Sequence, residues 1–203
     1  MAMELLESRP EPWYQTSLIN SQSPAARLVV IFWGANDAAT LGDQGLPLDE
    51  YETRLRSIIQ RVRECGEKDD SIPKTDVVLV TPPPVNNEHW LQERRDKFRA
   101  TNRGCTEEQV QEVSLDRTHE ITKDYCEIVR KVASTEEIPC VDLYTSMQSS
   151  DTPFGEYLSD GLHLSPAGND FLFQSIRSLI KKELPSLRPN AIEKGRFSHL
   201  TRK

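Results

Sequence analysis

Arg27-Leu28-Val29-Val30-Ile31-Phe32-Trp33-Gly34 is the stretch on which the fold turns. Six apolar residues, β-branched and aromatic among them, run without a break from Leu28 to Trp33 and stop at a glycine. A strand with no polar alternation is buried on both faces, which points to a parallel sheet covered by helices. It is also the longest apolar run in the chain, and a membrane-spanning helix needs about 20 such residues. Two more stretches repeat the pattern. Asp76-Val77-Val78-Leu79-Val80 reads as a second buried strand, stopped by Thr81-Pro82-Pro83-Pro84 because proline cannot donate to a ladder. Ile138 to Tyr144 reads as a third, with Pro139 near its start, where a missing N–H does least harm.

Helical periodicity fills the intervals. Leu48, Leu55, Ile58, Ile59 and Val62 share one face over Leu48–Cys65, with arginines largely opposite. A long helix is expected from about Glu107 to Ser134, its apolar face formed by Val110, Val113, Ile121, Tyr125, Ile128, Val129 and Val132. His119 then falls mid-helix among polar residues and reads as solvated. Ser165-Pro166 opens a last helix, since serine caps well and proline suits the first turn. Residues 85–104, polar and holding His89 and Trp90, carry no clear period. The alternation of strand and helix predicts an α/β domain with a parallel sheet flanked by helices.

Composition agrees. The chain has 203 residues, 36% hydrophobic and 28% charged, with net charge −7. That length supports a single domain able to bury a core without disulfide or metal staples. The acidic balance argues against a nucleic-acid surface. The first residues hold Glu4, Glu7 and Glu11 and no apolar core of a signal peptide. Cys65, Cys105, Cys126 and Cys140 are dispersed and read as buried reduced thiols of a cytoplasmic protein. The expected organisation is an irregular lead over residues 1–24, the domain over 25–185, and a polar basic tail over 186–203.

In open α/β sheets, sites form beyond the carboxyl ends of the strands. Two polar clusters fall where that rule places them. Gly34-Ala35-Asn36-Asp37 directly follows the first strand, where glycine permits a sharp turn and Asn36 can point its amide over the sheet edge. An ordinary turn uses the same residue types. Asp160-Gly161-Leu162-His163-Leu164-Ser165 precedes the last helix. A carboxylate three residues before a histidine can orient the ring and stabilise its charged form, as a general base requires. A helix-entry loop with a chance histidine reads the same way.

Together the clusters resemble blocks of the SGNH (GDSL-type) hydrolases. The surrounding words are closer still. Phe32-Trp33-Gly34-Ala35-Asn36-Asp37-Ala38, Leu46–Tyr51, Leu79–Pro84, Val141–Tyr144 and Tyr157–Pro166 are similar to the branch of isoamyl acetate-hydrolysing esterases, over about Leu28 to Leu184. The resemblance implies a flavodoxin-like sheet, here cut to about three strands, and hydrolysis of small carboxylic esters by a serine nucleophile, with no metal or organic cofactor. His163 would be the general base, Asp160 its orienter, and Asn36 an oxyanion-hole donor presented by the Gly34 turn. The Thr81–Pro84 turn would wall the substrate pocket, although strand termination alone accounts for it.

One part of the family pattern is missing. The family's nucleophile stands in a Gly-Asp-Ser block, and a second block supplies a glycine N–H; both lie upstream of the GxND strand. Residues 1–27 contain no glycine, and Ser17, Ser21 and Ser23 follow no buried strand. The nucleophile is therefore not assigned to any residue. Catalysis by this chain is left open against a noncatalytic binding or regulatory role, and its acyl and alcohol specificity is not readable. The apolar Leu28–Trp33 strand would stand at an open sheet edge without the usual lysine or proline guards, which predicts self-association.

Overall fold

The computed structural model of the protein describes residues 26–66, 74–188 and Ala191. The expected lead over residues 1–24, Ser17, Ser21 and Ser23 with it, lies outside the described residues, as does most of the basic tail. Three strands form one parallel sheet in the order β1 (Leu28–Ile31), β2 (Asp76–Val80), β3 (Cys140–Val141). β1 and β2 pair in register from Leu28 with Asp76 to Ile31 with Leu79, and β3 pairs Cys140 with Leu79. Among the described residues six α-helices accompany the sheet: α1 (Leu48–Gly66), α2 (Asn87–Thr101), α3 (Glu107–Gln111), α4 (His119–Thr135), α5 (Leu143–Gln148) and α6 (Pro166–Glu183).

Two apolar layers enclose the sheet. One face packs Ile31, Val77 and Leu79 against Leu55 and Ile59 of α1 and Tyr125, Val129 and Val132 of α4. The other packs Val78, Val80 and Val141 against Leu143 and Met147 of α5 and Leu179 of α6. The α1–α4 seam is closed outside by charge. Glu136 takes Arg56 at 2.8 Å and Arg63 at 2.6 Å, while Glu52 bridges Arg56 and Lys131.

The structure revises several sequence expectations. β1 is not buried on both faces: it is the sheet's outer strand among the described residues, and Val30 is 39% exposed. The polar stretch 85–104 contains a 15-residue helix, α2, capped by Asn86, whose side chain accepts the His89 N–H. The single helix expected over 107–134 is two. α3 starts with a capping box at Thr106, and α4 starts at Thr118, whose hydroxyl accepts the Ile121 N–H. Between them Asp116 and Arg117 are buried. His119 is accordingly the first residue of α4, half-buried, with Nε2 2.8 Å from the Tyr144 hydroxyl. The third strand is cut to two residues because Asp142 caps α5, accepting the Thr145 N–H. Cys126 is buried, but Cys105 and Cys140 are only half-buried; all three thiols are free, and burial pushes that of Cys140 up to about 12. Leu187 is packed, so the basic tail does not begin fully solvated. Among the described residues no helix is long and apolar enough to cross a membrane.

Candidate active site

The chain leaves β1 through Gly34, whose φ of +117° is open to glycine and strained for other residues. A Cβ here would also lie 2.7 Å from Pro82 Cγ and 2.8 Å from the Tyr51 hydroxyl oxygen. The turn is closed by the Ala38 N–H donating to Gly34 O at 2.9 Å, while the Tyr51 hydroxyl donates to Trp33 O at 3.1 Å. Burial raises the Asp37 carboxyl above its ordinary range, against backbone hydrogen bonds from Asp37 and Gly34 and the charge of Arg54. Asn36, between them, is exposed at the carboxyl end of the strand.

β2 ends in a buried floor. Thr81, Pro82, Pro83, Pro84 and Val85 are all inaccessible, and Thr81 N–H donates to Val141 O at 3.1 Å. The floor does more than terminate a strand, because its far end holds the second polar cluster. Asn86 N–H donates to Gly161 O at 2.8 Å. Gly161 has φ +91°, and a Cβ there would meet Trp90 N at 2.4 Å and Asn86 O at 2.8 Å. Only glycine lets the 160–163 loop lie this close to the start of α2.

Within that loop Asp160 and His163 are in contact. Asp160 Oδ1 accepts the Leu162 and His163 N–H groups at 2.9 and 2.8 Å, and Oδ2 lies 2.6 Å from His163 Nδ1. Partial burial opposes the charge on Asp160, but the His163 backbone N–H, its ring and the Leu162 N–H outweigh it and hold the carboxyl below its usual range. The two side chains differ in access: Asp160 is 16% exposed and His163 65%. The carboxylate thus sits behind the ring. Among the described residues nothing bonds Nε2, which leaves that nitrogen for a solvent-side partner. The edge of the loop is tied by Ser159 N–H to His163 O at 2.8 Å, and Ser165 caps α6 by accepting the Gly168 N–H at 3.1 Å. The Trp90 ring stands edge-on to the His163 ring, centroids 6.0 Å apart.

A buried polar network runs beneath both clusters, and sequence reasoning did not single it out. Asp116 Oδ1 accepts the Trp90 indole N–H at 2.8 Å; its Oδ2 takes Arg94 at 2.6 Å and Arg117 at 2.7 Å. Arg117 reaches on to Asn36 Oδ1 at 3.2 Å. The signal was present in the apolar spacing. Val113 is followed by no core residue of the helix face until Ile121, and Thr118 is a cap residue inside that gap. A cleft of about 720 Å³ opens beside the network, between α2, α3 and the 112–117 connection; neither Asn36 nor His163 lines it. Among the described residues no three His, Cys, Asp or Glu side chains gather in a way that would hold a metal ion.

The fold and the sequence have counterparts among known proteins. Residues 10–171 match the model of the GDSL-like lipase/acylhydrolase family, and the chain belongs to that family. Within it, the chain falls with the homologues of isoamyl acetate-hydrolysing esterase. It is 38% identical over 170 residues to the isoamyl acetate-hydrolyzing esterase 1 homolog of Rattus norvegicus, covering 82% of this chain and 59% of that protein. The Homo sapiens homolog is 37% identical over 162 residues, covering 78% of this chain and 57% of that one. The chain therefore spans about three fifths of the length of these curated relatives. Among solved structures, a lipase/acylhydrolase from Enterococcus faecalis superposes with TM-score 0.53 at 26% identity, covering 76% of this chain and 61% of that one.

Proposed function

We propose that this domain carries the base and oxyanion half of a serine esterase acting on small carboxylic esters, acetates among them. The observation that carries the reading is the Asp160–His163 contact at 2.6 Å on Nδ1, in a histidine side chain that is 65% exposed. In the proposed reaction His163 Nε2 takes the proton of a serine hydroxyl as its oxygen attacks the ester carbonyl. Asp160 holds the Nδ1 proton and stabilises the imidazolium that forms. The Asn36 NH₂ donates to the carbonyl oxygen as it gains charge, and the Gly34 turn fixes its position. His163 then returns the proton to the departing alcohol. Water repeats the sequence on the acyl-serine. The chemistry so written needs no cofactor.

The serine and the glycine N–H donor are not assigned to any of these residues, and the proposal places the serine on a strand entering beside β1. A second reading is a domain that binds esters or partners without turnover. The three free thiols among the described residues support a reducing, cytoplasmic setting for either.

One pair of measurements separates the readings. The 203-residue chain alone is expected to hydrolyse short acetate esters little faster than buffer and to take no fluorophosphonate label. The same domain preceded by a strand ending in Gly-Asp-Ser is expected to turn over, and to lose most of that activity in His163→Ala, since triad members act as a unit. Labelling at Ser17, Ser21 or Ser23 would assign the nucleophile to this chain. Full activity in His163→Ala would refute the base.

A further inference from the structure

Arg117 is a buried charge whose side chain is only 7% exposed, so its partners must explain its position. They are four acceptors, three from the segment after β1 and one from the neighbouring Asp116. Nε donates to Ala35 O at 2.9 Å, and Nη1 to Asp116 Oδ2 at 2.7 Å. Nη2 donates to Gln44 Oε1 at 2.6 Å and Asn36 Oδ1 at 3.2 Å. Two of these acceptors belong to the turn after β1. A guanidinium has donors only, so the Asn36 atom facing it must be the amide oxygen. The NH₂ of Asn36 is then directed away from Arg117. The connection carrying Arg117 is itself stitched to the segment after that turn, since Asp116 O accepts the Thr40 N–H at 2.6 Å.

We propose that Arg117 is a positioning residue for the oxyanion donor: it sets Asn36 with its oxygen inward and its NH₂ outward, toward the reacting carbonyl. The proposal rests on the esterase reading and adds to it the group that gives Asn36 a single orientation. A free asparagine amide has two orientations of comparable energy, and only one would donate. Arg117 selects between them by charge, and its pull on the oxygen strengthens the opposite N–H groups as donors. Asp116 holds the guanidinium in turn, and shares Trp90 with the His163 side of the site. The donor and the base therefore lean on one buried ion pair.

The test has a structural arm and a kinetic arm. In the ¹⁵N-labelled 203-residue chain, the Asn36 side-chain amide is expected to give a dispersed pair of signals with slow water exchange. Arg117→Gln should move that pair toward free asparagine and speed its exchange while the β2 backbone signals stay in place. Arg117→Lys keeps the charge without the fork and should give an intermediate result; it serves as the readout if Arg117→Gln does not fold. An unchanged Asn36 pair in either folded variant overturns the proposal. In the ester-hydrolysing form, Arg117→Lys should lower kcat about tenfold or more with KM little changed, within the ~10²–10³ cost of deleting a donor. Combined with Asn36→Ala it should add almost nothing, because it acts through that side chain. Independent, multiplying losses would overturn it as well. Absence of wild-type turnover would instead refute the esterase reading and leave the amide signals to decide the placement.

Discussion

β1 and β2 are nearly the same sequence put to different use. Leu28-Val29-Val30-Ile31 and Val77-Val78-Leu79-Val80 are both unbroken apolar runs, and they lie side by side in parallel register. Val78 and Leu79 are fully buried, each at 0% exposure, while Val30 is 39% exposed and Trp33, just beyond β1, is 47% exposed. Hydrophobicity earns a strand a place in the sheet but does not say which place. Position is decided by what pairs on the second side, and for β1 nothing among the described residues does. An open apolar edge is a template for another strand.

The sharpest way to break this comparison is to truncate one apolar side chain in each strand. Leu79→Ala leaves a cavity between two packed layers and is expected to cost about 2–5 kcal/mol, read as a large fall in melting temperature. Val30→Ala, at the edge, is expected to change stability by under about 0.5 kcal/mol. Equal losses would mean that the β1 edge is covered. A smaller effect is expected from charge. The 203-residue chain should self-associate in sedimentation, and Val30→Lys should reduce the association with its melting point nearly unchanged. A monodisperse wild-type monomer melting cooperatively above about 60 °C would show the edge sealed.

The smallest expected effect lies where the floor after β2 supports the 160–163 loop. The Asp160 carboxyl is held below its usual range, so its contribution to stability is present at neutral pH and fades as pH falls through the folded-state value. Asp160→Asn should therefore be less stable than wild type near pH 7, by less than about 1 kcal/mol because the His163 ring is open to water. The two proteins should converge in acid. A gap that widens as pH falls would contradict the assignment of the charge.

These strands also mark how much the sequence disclosed. The runs at Leu28 and Asp76, the capped start of α6 at Ser165 and the contact of Asp160 with His163 follow from local chemistry, and local chemistry is legible. α2 was not, because over Asn87–Thr101 only Trp90 is buried and a helix with one core residue shows no stripe. The break between α3 and α4 was hidden for a related reason. Asp116 and Arg117 look like surface residues, and their burial depends on Trp90, Arg94 and Asn36, up to 81 positions away. A polar residue's neighbours cannot be read from its own segment. The edge place of β1 was anticipated, but from the lack of a readable strand before Leu28 and not from the strand itself, whose unbroken apolar run points to burial on both faces.

The floor at Pro82, Pro83 and Pro84 has a consequence for the dimensions of the site. Three successive pyrrolidine rings fix φ at each position and offer no N–H to be left unpaired in the interior. One end of the segment abuts Gly34 through Pro82, and beyond its other end Asn86 holds Gly161 at 2.8 Å. The Asn36 turn and the His163 loop thus rest, through packing at one end and a hydrogen bond at the other, on a single stiff segment. The two clusters are thereby held at one gauge, since a run of three prolines lengthens less readily than a flexible loop of the same length.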